Sequence, residues 1–525
     1  MFATTYCLRA LLGFVISSGL TLAKRVHATH ADTVFINGTI YTLDRTSTKV
    51  QALAISNGTI TFVGSDVAAK EYIAANTTVV NLHGRMTMPG LVDSHVHILS
   101  AGQYLTQCNL DYMPLTIEQV IEHVQKCVDA EPAKNNESFW LEAVNLDVRT
   151  LLRLSGSVTS KDIDKIKTKR PVSVRASTHH TLLVNTLGMR LSNITSATKD
   201  PANGRVERLP GTQEPSGVFQ DGADALVKGP DPPTAEEWIT GTQAALKLFR
   251  EAGVTTFQDA SARLSHGETF EALRKRGELT ARAYSDYQID APASPAEIDK
   301  VVQRAIDLTS RFHDRSKHGK SPTQKYQAVK VFMDGGLKYP SNTGALLEPY
   351  FERIGNSSEF RRPANGTIVE AYWKPAILNP TIEKLFLAGL DAQLHAIGDR
   401  AVRYVLDAVE AFRQKHPNHT DYKVAIAHAS LIDPSDYPRF SKLGVDAIMS
   451  YQWAQPAPVW SPWTFGALGP ARTPNLESYG TLTNLGRPVV YGSDWPVSLM
   501  NLSKSLAFFR AWCTELTQNP NRLTH

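Results

Sequence analysis

Met88-Pro-Gly-Leu-Val-Asp-Ser-His-Val-His97 decides how this chain folds. Pro89-Gly90 breaks the preceding structure, and a short apolar run then ends in His95-Val96-His97. Residues i and i+2 of a strand face the same side, so both imidazoles project together. Two imidazoles side by side suit a divalent metal of the zinc type. Standing alone, such a pair is an ordinary surface or core feature.

N-terminal to this stretch lie short β-rich runs at Thr33–Thr42, Ala52–Val63 and Thr78–Leu82. Asn37-Gly38 and Asn57-Gly58 read as hairpin turns between β-branched segments. This predicts a small antiparallel sheet module over residues 29–89. On the C-terminal side, apolar strand-like runs alternate with helical stretches, the pattern of βα units around a parallel sheet. The candidate strands are Leu91–His97, Phe139–Val144, Val172–Ala176, Val254–Gln258, Thr280–Tyr284, Ala328–Met333, Ala392–His395, Val424–His428, Asp446–Ser450 and Val489–Ser493. These exceed eight, so residues 90–525 are expected to form a barrel carrying an insertion around residues 108–250. Prolines 201, 210, 215, 230, 232 and 233 suggest exposed, irregular chain in that insertion.

Four further residues carry chemistry. Lys330 sits mid-strand in Ala328-Val-Lys-Val-Phe-Met-Asp-Gly-Gly336. A buried ammonium there costs several kcal/mol unless paired or neutralised, and reaction with CO₂ to an anionic carbamate is one escape. An edge-strand lysine reaching solvent is the ordinary alternative. His395 and His428 each end an apolar run, and barrels build active sites at the C-terminal ends of their strands. Asp494, in Val489-Val-Tyr-Gly-Ser-Asp-Trp-Pro496, can ligate a metal and accept a proton from water.

The opening stretch resembles the signature that begins the barrel of the amidohydrolase superfamily. Lys330, Leu394-His-Ala-Ile-Gly-Asp-Arg-Ala401, His428 and Gly492-Ser-Asp-Trp-Pro-Val497 resemble the YtcJ-like amidohydrolase family, which includes N-substituted formamide deformylases. The likeness runs from about residue 33 to about 500 and also takes in Gly253–Asp259 and Leu468–Arg472. It implies an α/β fold: a TIM-type (β/α)8 metallo-hydrolase barrel with a small β-sandwich module formed by the N-terminal segment. It also implies a binuclear centre. His95 and His97 would hold one zinc ion, His395 and His428 a second, and carboxylated Lys330 would bridge them. Asp494 would bind the first ion and act as general base, then general acid, while a metal-bound hydroxide attacks a non-peptide amide or formamide-type carbonyl. His180, in His180-Thr-Leu-Leu-Val-Asn185, matches a family segment near the pocket, and Gln452 and Trp495 are further substrate-binding candidates.

Length and composition are ordinary for a soluble globular protein. The chain has 525 residues, 42% hydrophobic and 20% charged, with a net charge of +4 and no long basic block. That excludes an obvious nucleic-acid surface. Arg9 followed by the apolar stretch Ala10–Ala23 and by Val26-His27-Ala28 reads as a signal peptide over residues 1–28, too short for a stable membrane span. Nine glycosylation sequons begin at Asn37, Asn57, Asn76, Asn136, Asn193, Asn356, Asn365, Asn418 and Asn501. Chance would give about three, so a secreted glycoprotein is expected. Without Cys7, three cysteines remain, and Cys108 and Cys127 could pair; oligomeric state stays open.

The family pattern also implies a C-terminal return that completes the N-terminal sheet and carries a Gly-x-x-Ala-Asp segment. Here Leu502–Leu516 reads as the last barrel helix, and no such segment follows. The N-terminal module is therefore expected to show open edges and apolar surface. Two other readings stand beside the hydrolase: a catalytically impaired secreted binding or signalling protein on the same fold, and an esterase or deaminase relative.

Overall fold

The computed structural model describes residues 30–497, apart from 45, 47, 152–157, 202, 316–321, 340, 356, 367, 455–461 and 488. The expected signal peptide, the helix at Leu502–Leu516, Asn356 and Asn501 lie outside the described residues. Contacts divide the chain into two compact units between Pro89 and Gly90.

The first unit contains β1 (Thr33–Ile36), β2 (Thr39–Tyr41), β3 (Lys49–Val50), β4 (Ala52–Ser56), β5 (Thr59–Gly64), β6 (Thr78–Asn81) and β7 (Met86–Thr87). They form a four-stranded sheet, β5-β4-β1-β6, and a three-stranded one, β3-β2-β7. Asn57-Gly58 is a hairpin turn: Ser56 pairs with Thr59, and both turn residues have positive φ, as a two-residue primed turn demands. Asn37-Gly38 is not. There β1 and β2 part into different sheets, and the positive φ of Asn37 steers the chain from one to the other. Nor is the module purely antiparallel, because β6 and β7 run parallel to β1 and β2 after the chain has crossed back through a short helix at Asp66–Ala69. Val34, Ala52, Ala54 and Ala69 are buried, whereas Ile60, Val63, Val79 and Met86 are exposed.

In the second unit, β8 (Leu91–Val96) opens a barrel and the chain then leaves it. The inserted strands are β9 (Cys108–Asn109), β10 (Leu141–Leu146), β11 (Val172–Ala176), β12 (Thr181–Val184), β13 (Gly204–Arg208) and β14 (Pro215–Asp221). They form one sheet, β13-β14-β12-β11-β10-β9. The insertion is thus folded rather than irregular. Pro215 begins a strand, where its missing N–H is tolerated, and only the other five prolines lie in turns or loops. Phe139–Val144 and Val172–Ala176 account for the surplus over eight. Cys108 and Cys127 form a disulfide that pins β9 to the helix Ile117–Ala130. It closes a loop of 19 residues in sequence separation. Cys127→Ser should therefore cost about 3 kcal/mol, seen as a lower urea midpoint; an unchanged midpoint would contradict this.

The barrel resumes with β15 (Val254–Ala262), β16 (Arg282–Gln288) and β17 (Gln324–Phe332). After a short hairpin of β18 (Glu352–Arg353) and β19 (Phe360–Arg361), it continues through β20 (Asp391–Ala396), β21 (Val424–His428), β22 (Asp446–Met449) and β23 (Val489–Tyr491). The eight barrel strands pair in parallel, in the order β23-β22-β21-β20-β17-β16-β15-β8. The remaining seam, between β8 and the residues after β23, is joined by backbone bonds from Asp494 N to His95 O and from His97 N to Trp495 O. Gly492 allows this approach: a Cβ there would sit 2.5 Å from that of His95. The outer helices are amphipathic. Asp399–Lys415 buries Ala401, Val402, Val405, Leu406, Val409 and Phe412, a stripe at helical spacing laid against the barrel core.

Candidate metal centre

Strand ends place the chemistry. His95 is the fifth residue of β8 and points into the barrel, fully buried; His97 follows one step beyond the strand. His428 ends β21 and Asp494 lies three residues past β23. Both take positive φ, 76° and 54°, a costly backbone state for non-glycine residues that clusters at functional sites. The Nε2 atoms of His95 and His97 each lie 3.2 Å from Asp494 Oδ1. Ligand atoms of His95, His428 and Asp494 fall within 4.8 Å of one another. Yet this carboxylate oxygen is buried and engages in no hydrogen bond among the described residues, as does Nδ1 of His95. Burial, helped by the charge of Lys330, lowers the His95 pKa to about 4 and holds His395 well below the usual imidazole range; burial likewise lowers His428. Neutral imidazoles around an orphaned carboxylate oxygen are the donor set a divalent cation requires. The residues fit such an ion.

Lys330 is no edge lysine. β17 is paired on both sides, by β16 and β20, and the side chain is wholly buried. Its Nζ lies 3.5 Å from His95 Nε2 and 4.7 Å from the Phe332 ring centroid. Burial lowers its pKa to about 8, against the pull of Asp494, Asp286 and Asp259. His395 stands one ring further along, 4.6 Å from the ring of His428, with Nε2 3.3 Å from the Gly335 carbonyl.

His97, His395, His428 and Asp494 floor a cavity of about 750 Å³. His180, just before β12, lines it. Gln452 and Trp495 do not. The Gln452 amide donates to Ser493 O at 2.7 Å, bracing the loop that carries Asp494. Trp495 is buried in the neighbouring core against Phe249. Trp453, one residue on from Gln452, lines the cavity instead and stacks on His428 at 5.3 Å. Sequence reading also passed over Asp334, Lys338 and Asp221. The stretch containing Asp334 was in view but drew notice only for its lysine, and Asp221 carries no motif signal.

Fold and site define a barrel hydrolase built around a metal centre. Residues 78–507 match the model of the amidohydrolase family, and the chain belongs to that family. Hydrolysis of a carbon–nitrogen bond other than a peptide bond, dependent on a divalent metal, follows from that membership. Curated relatives include the protein LONG AFTER FAR-RED 3 of Arabidopsis thaliana, 28% identical over 90% of this chain and 76% of its own length. The putative amidohydrolase YtcJ of Bacillus subtilis is 26% identical, over 88% and 80%. An N-substituted formamide deformylase of Arthrobacter pascens is 21% identical, over 82% and 75%. Among solved structures, an uncharacterized metal-dependent hydrolase from Pyrococcus horikoshii shares the fold with a TM-score of 0.64 at 21% identity, covering 91% of this chain and 85% of that one.

Proposed function

We propose that the substrate is a small N-substituted formamide or a closely related non-peptide amide, cleaved over a zinc centre held by His95, His97, His395, His428 and Asp494. The observation that carries this reading is the convergence of His95, His97 and His428 on the buried, unsatisfied Asp494 oxygen. The formamide class is taken from the relative in Arthrobacter pascens. When bound, the metal polarises the acyl oxygen and lowers the pKa of water to about 7. Asp494 accepts the proton of the attacking water at its carboxylate and delivers it to the departing nitrogen, yielding an acid and an amine.

Lys330 is the bridging group in this reading. Its free amine attacks CO₂, forms an N–C bond and releases a proton, giving a carbamate. Burial supports this by keeping part of the amine unprotonated near neutral pH. Protein equilibrated with ¹³C-labelled bicarbonate should show one carbamate carbon resonance that Lys330→Met lacks; equal spectra would count against the bridge.

The reaction itself is tested with formanilide, acetanilide and phenyl acetate before and after chelator treatment. Chelator-sensitive release of aniline supports the proposal, and preferential phenyl acetate cleavage would favour the esterase relative. Secretion is part of the same reading. Asn37, Asn57, Asn76, Asn193, Asn365 and Asn418 are exposed, and a disulfide suits an oxidising compartment. No helix among the described residues is long and apolar enough to cross a membrane. Enzymatic removal of N-glycans from protein made in eukaryotic cells should lower its mass; an unchanged mass would oppose glycosylation.

A further inference from the structure

The inserted sheet sends one pair of side chains to the reacting end of the barrel. His180, just before β12, and Asp221, at the end of β14, both line the cavity. Nδ1 of His180 lies 2.6 Å from Asp221 Oδ1, and the backbone joins the same residues, Asp221 N donating to His180 O. The His180 ring is 5.9 Å from that of His395, which in turn stands 4.6 Å from the ring of His428.

Three features show that this placement is held at a cost. Asp221 adopts φ 49° and ψ −132°, a strained state for a residue with a Cβ. Its second carboxylate oxygen is buried and has no hydrogen-bond partner among the described residues. The barrel loop after β17 also gives way to the pair. A Cβ on Gly335 would come within 2.7 Å of Asp221 Oδ1, and one on Gly336 within 3.0 Å of His180 Cδ2. Glycines at both positions let the inserted sheet approach the centre.

We infer that His180 is a catalytic residue whose Nε2 hydrogen-bonds the acyl oxygen of the substrate, and that Asp221 is the positioning residue that orients it. The inference rests on the amide-hydrolase reading above. Asp494, which His95 and His97 face, serves the departing nitrogen, and His180, beside His395 on the same cavity, is the donor left for the acyl oxygen. The carboxylate accepts the Nδ1 hydrogen and fixes the ring, and by stabilising the doubly protonated imidazolium it leaves Nε2–H as the donor. A fixed donor aimed where negative charge develops acts mainly on the transition state.

The test uses the full chain with formanilide. His180→Ala should lower kcat about 100-fold with KM within about threefold, and with metal content unchanged. Asp221→Asn should lower kcat about 10-fold at equal KM, since its amide still reaches the ring but no longer stabilises the charge. Wild-type kcat in either variant, or loss expressed only in KM, overturns the assignment while leaving the hydrolase reading intact. If wild-type protein cleaves no compound in the panel, that reading fails separately, and the pair is judged by proton NMR. A downfield imidazole proton absent from both variants, and shifting when formanilide is added, upholds the contact; a resonance indifferent to formanilide overturns it.

Discussion

Replacing Asp494 by Asn is expected to lower kcat by about 10³-fold or more while most of the metal stays bound. The substitution conserves size and leaves a carbonyl oxygen where Oδ1 now faces His95 and His97 at 3.2 Å. What it removes is the ability to accept a proton from water and return it to the amine, a contribution of about 10²- to 10⁴-fold in general acid–base catalysis. The positive φ at position 494 suits Asn as well as Asp, so the backbone imposes no new strain. Steady-state kinetics with elemental analysis of the same sample decide the matter. A variant retaining a tenth or more of the rate would remove Asp494 from the proton path.

The largest effect on stability is expected from Asp334→Ala. Asp334 lies just past β17, fully buried, and its two oxygens accept backbone N–H groups from Ile397 at 2.9 Å, Gly398 at 2.8 Å and Ala345 at 2.9 Å. One carboxylate thus ties the loop after β17 to the loop after β20, and the same oxygen that receives Ile397 lies 3.6 Å from His395 Nε2. Truncation leaves three buried donors without acceptors, each costing about 1–3 kcal/mol, or about 4 kcal/mol together after partial relaxation. Gly398 leaves little room for that relaxation, since a Cβ there would already meet the Ala345 carbonyl oxygen at 2.1 Å. Chemical denaturation should show the loss, and Asp334→Asn, which retains an acceptor oxygen, should recover much of it. An alanine variant as stable as the wild type would mean that water replaces the carboxylate.

Much of this architecture was legible because the barrel repeats one signal. Most of its eight strands contain a short apolar run, and the candidate ligands stand towards the C-terminal ends of those strands. His95, His428 and Asp494 stand at or just past such ends, and it is the resemblance to the family signatures, not periodicity alone, that marks them as candidate ligands. Asn37-Gly38 was misread because a left-handed turn is all that the dipeptide specifies; whether the flanking strands pair depends on contacts made far along the chain. The folded insertion was underestimated for a similar reason. Its sheet is held by β10, β11, β12 and β14 against one another, whereas prolines report only on the turns between them.

The neighbours of the centre were least legible. Gln452 and Trp453 are adjacent in sequence, yet one braces a loop and the other faces the cavity, and no local pattern separates them. Asp221 comes close to His180 only because β12 and β14 pair antiparallel, with Thr181 opposite Gln220. Such a pair arises from strand register, which a single sequence does not print. Trp495 shows the converse: its place beside Asp494 in sequence says nothing about its side chain, which the backbone sends to the opposite face.

Elemental mass spectrometry of the purified chain, alongside a His95→Ala/His428→Ala double variant, tests the central claim most directly. The account predicts about two zinc-like ions per wild-type chain, and a large loss in the double variant with the fold preserved. Soluble, folded wild-type protein with metal near zero, after exposure to divalent ions, would contradict it.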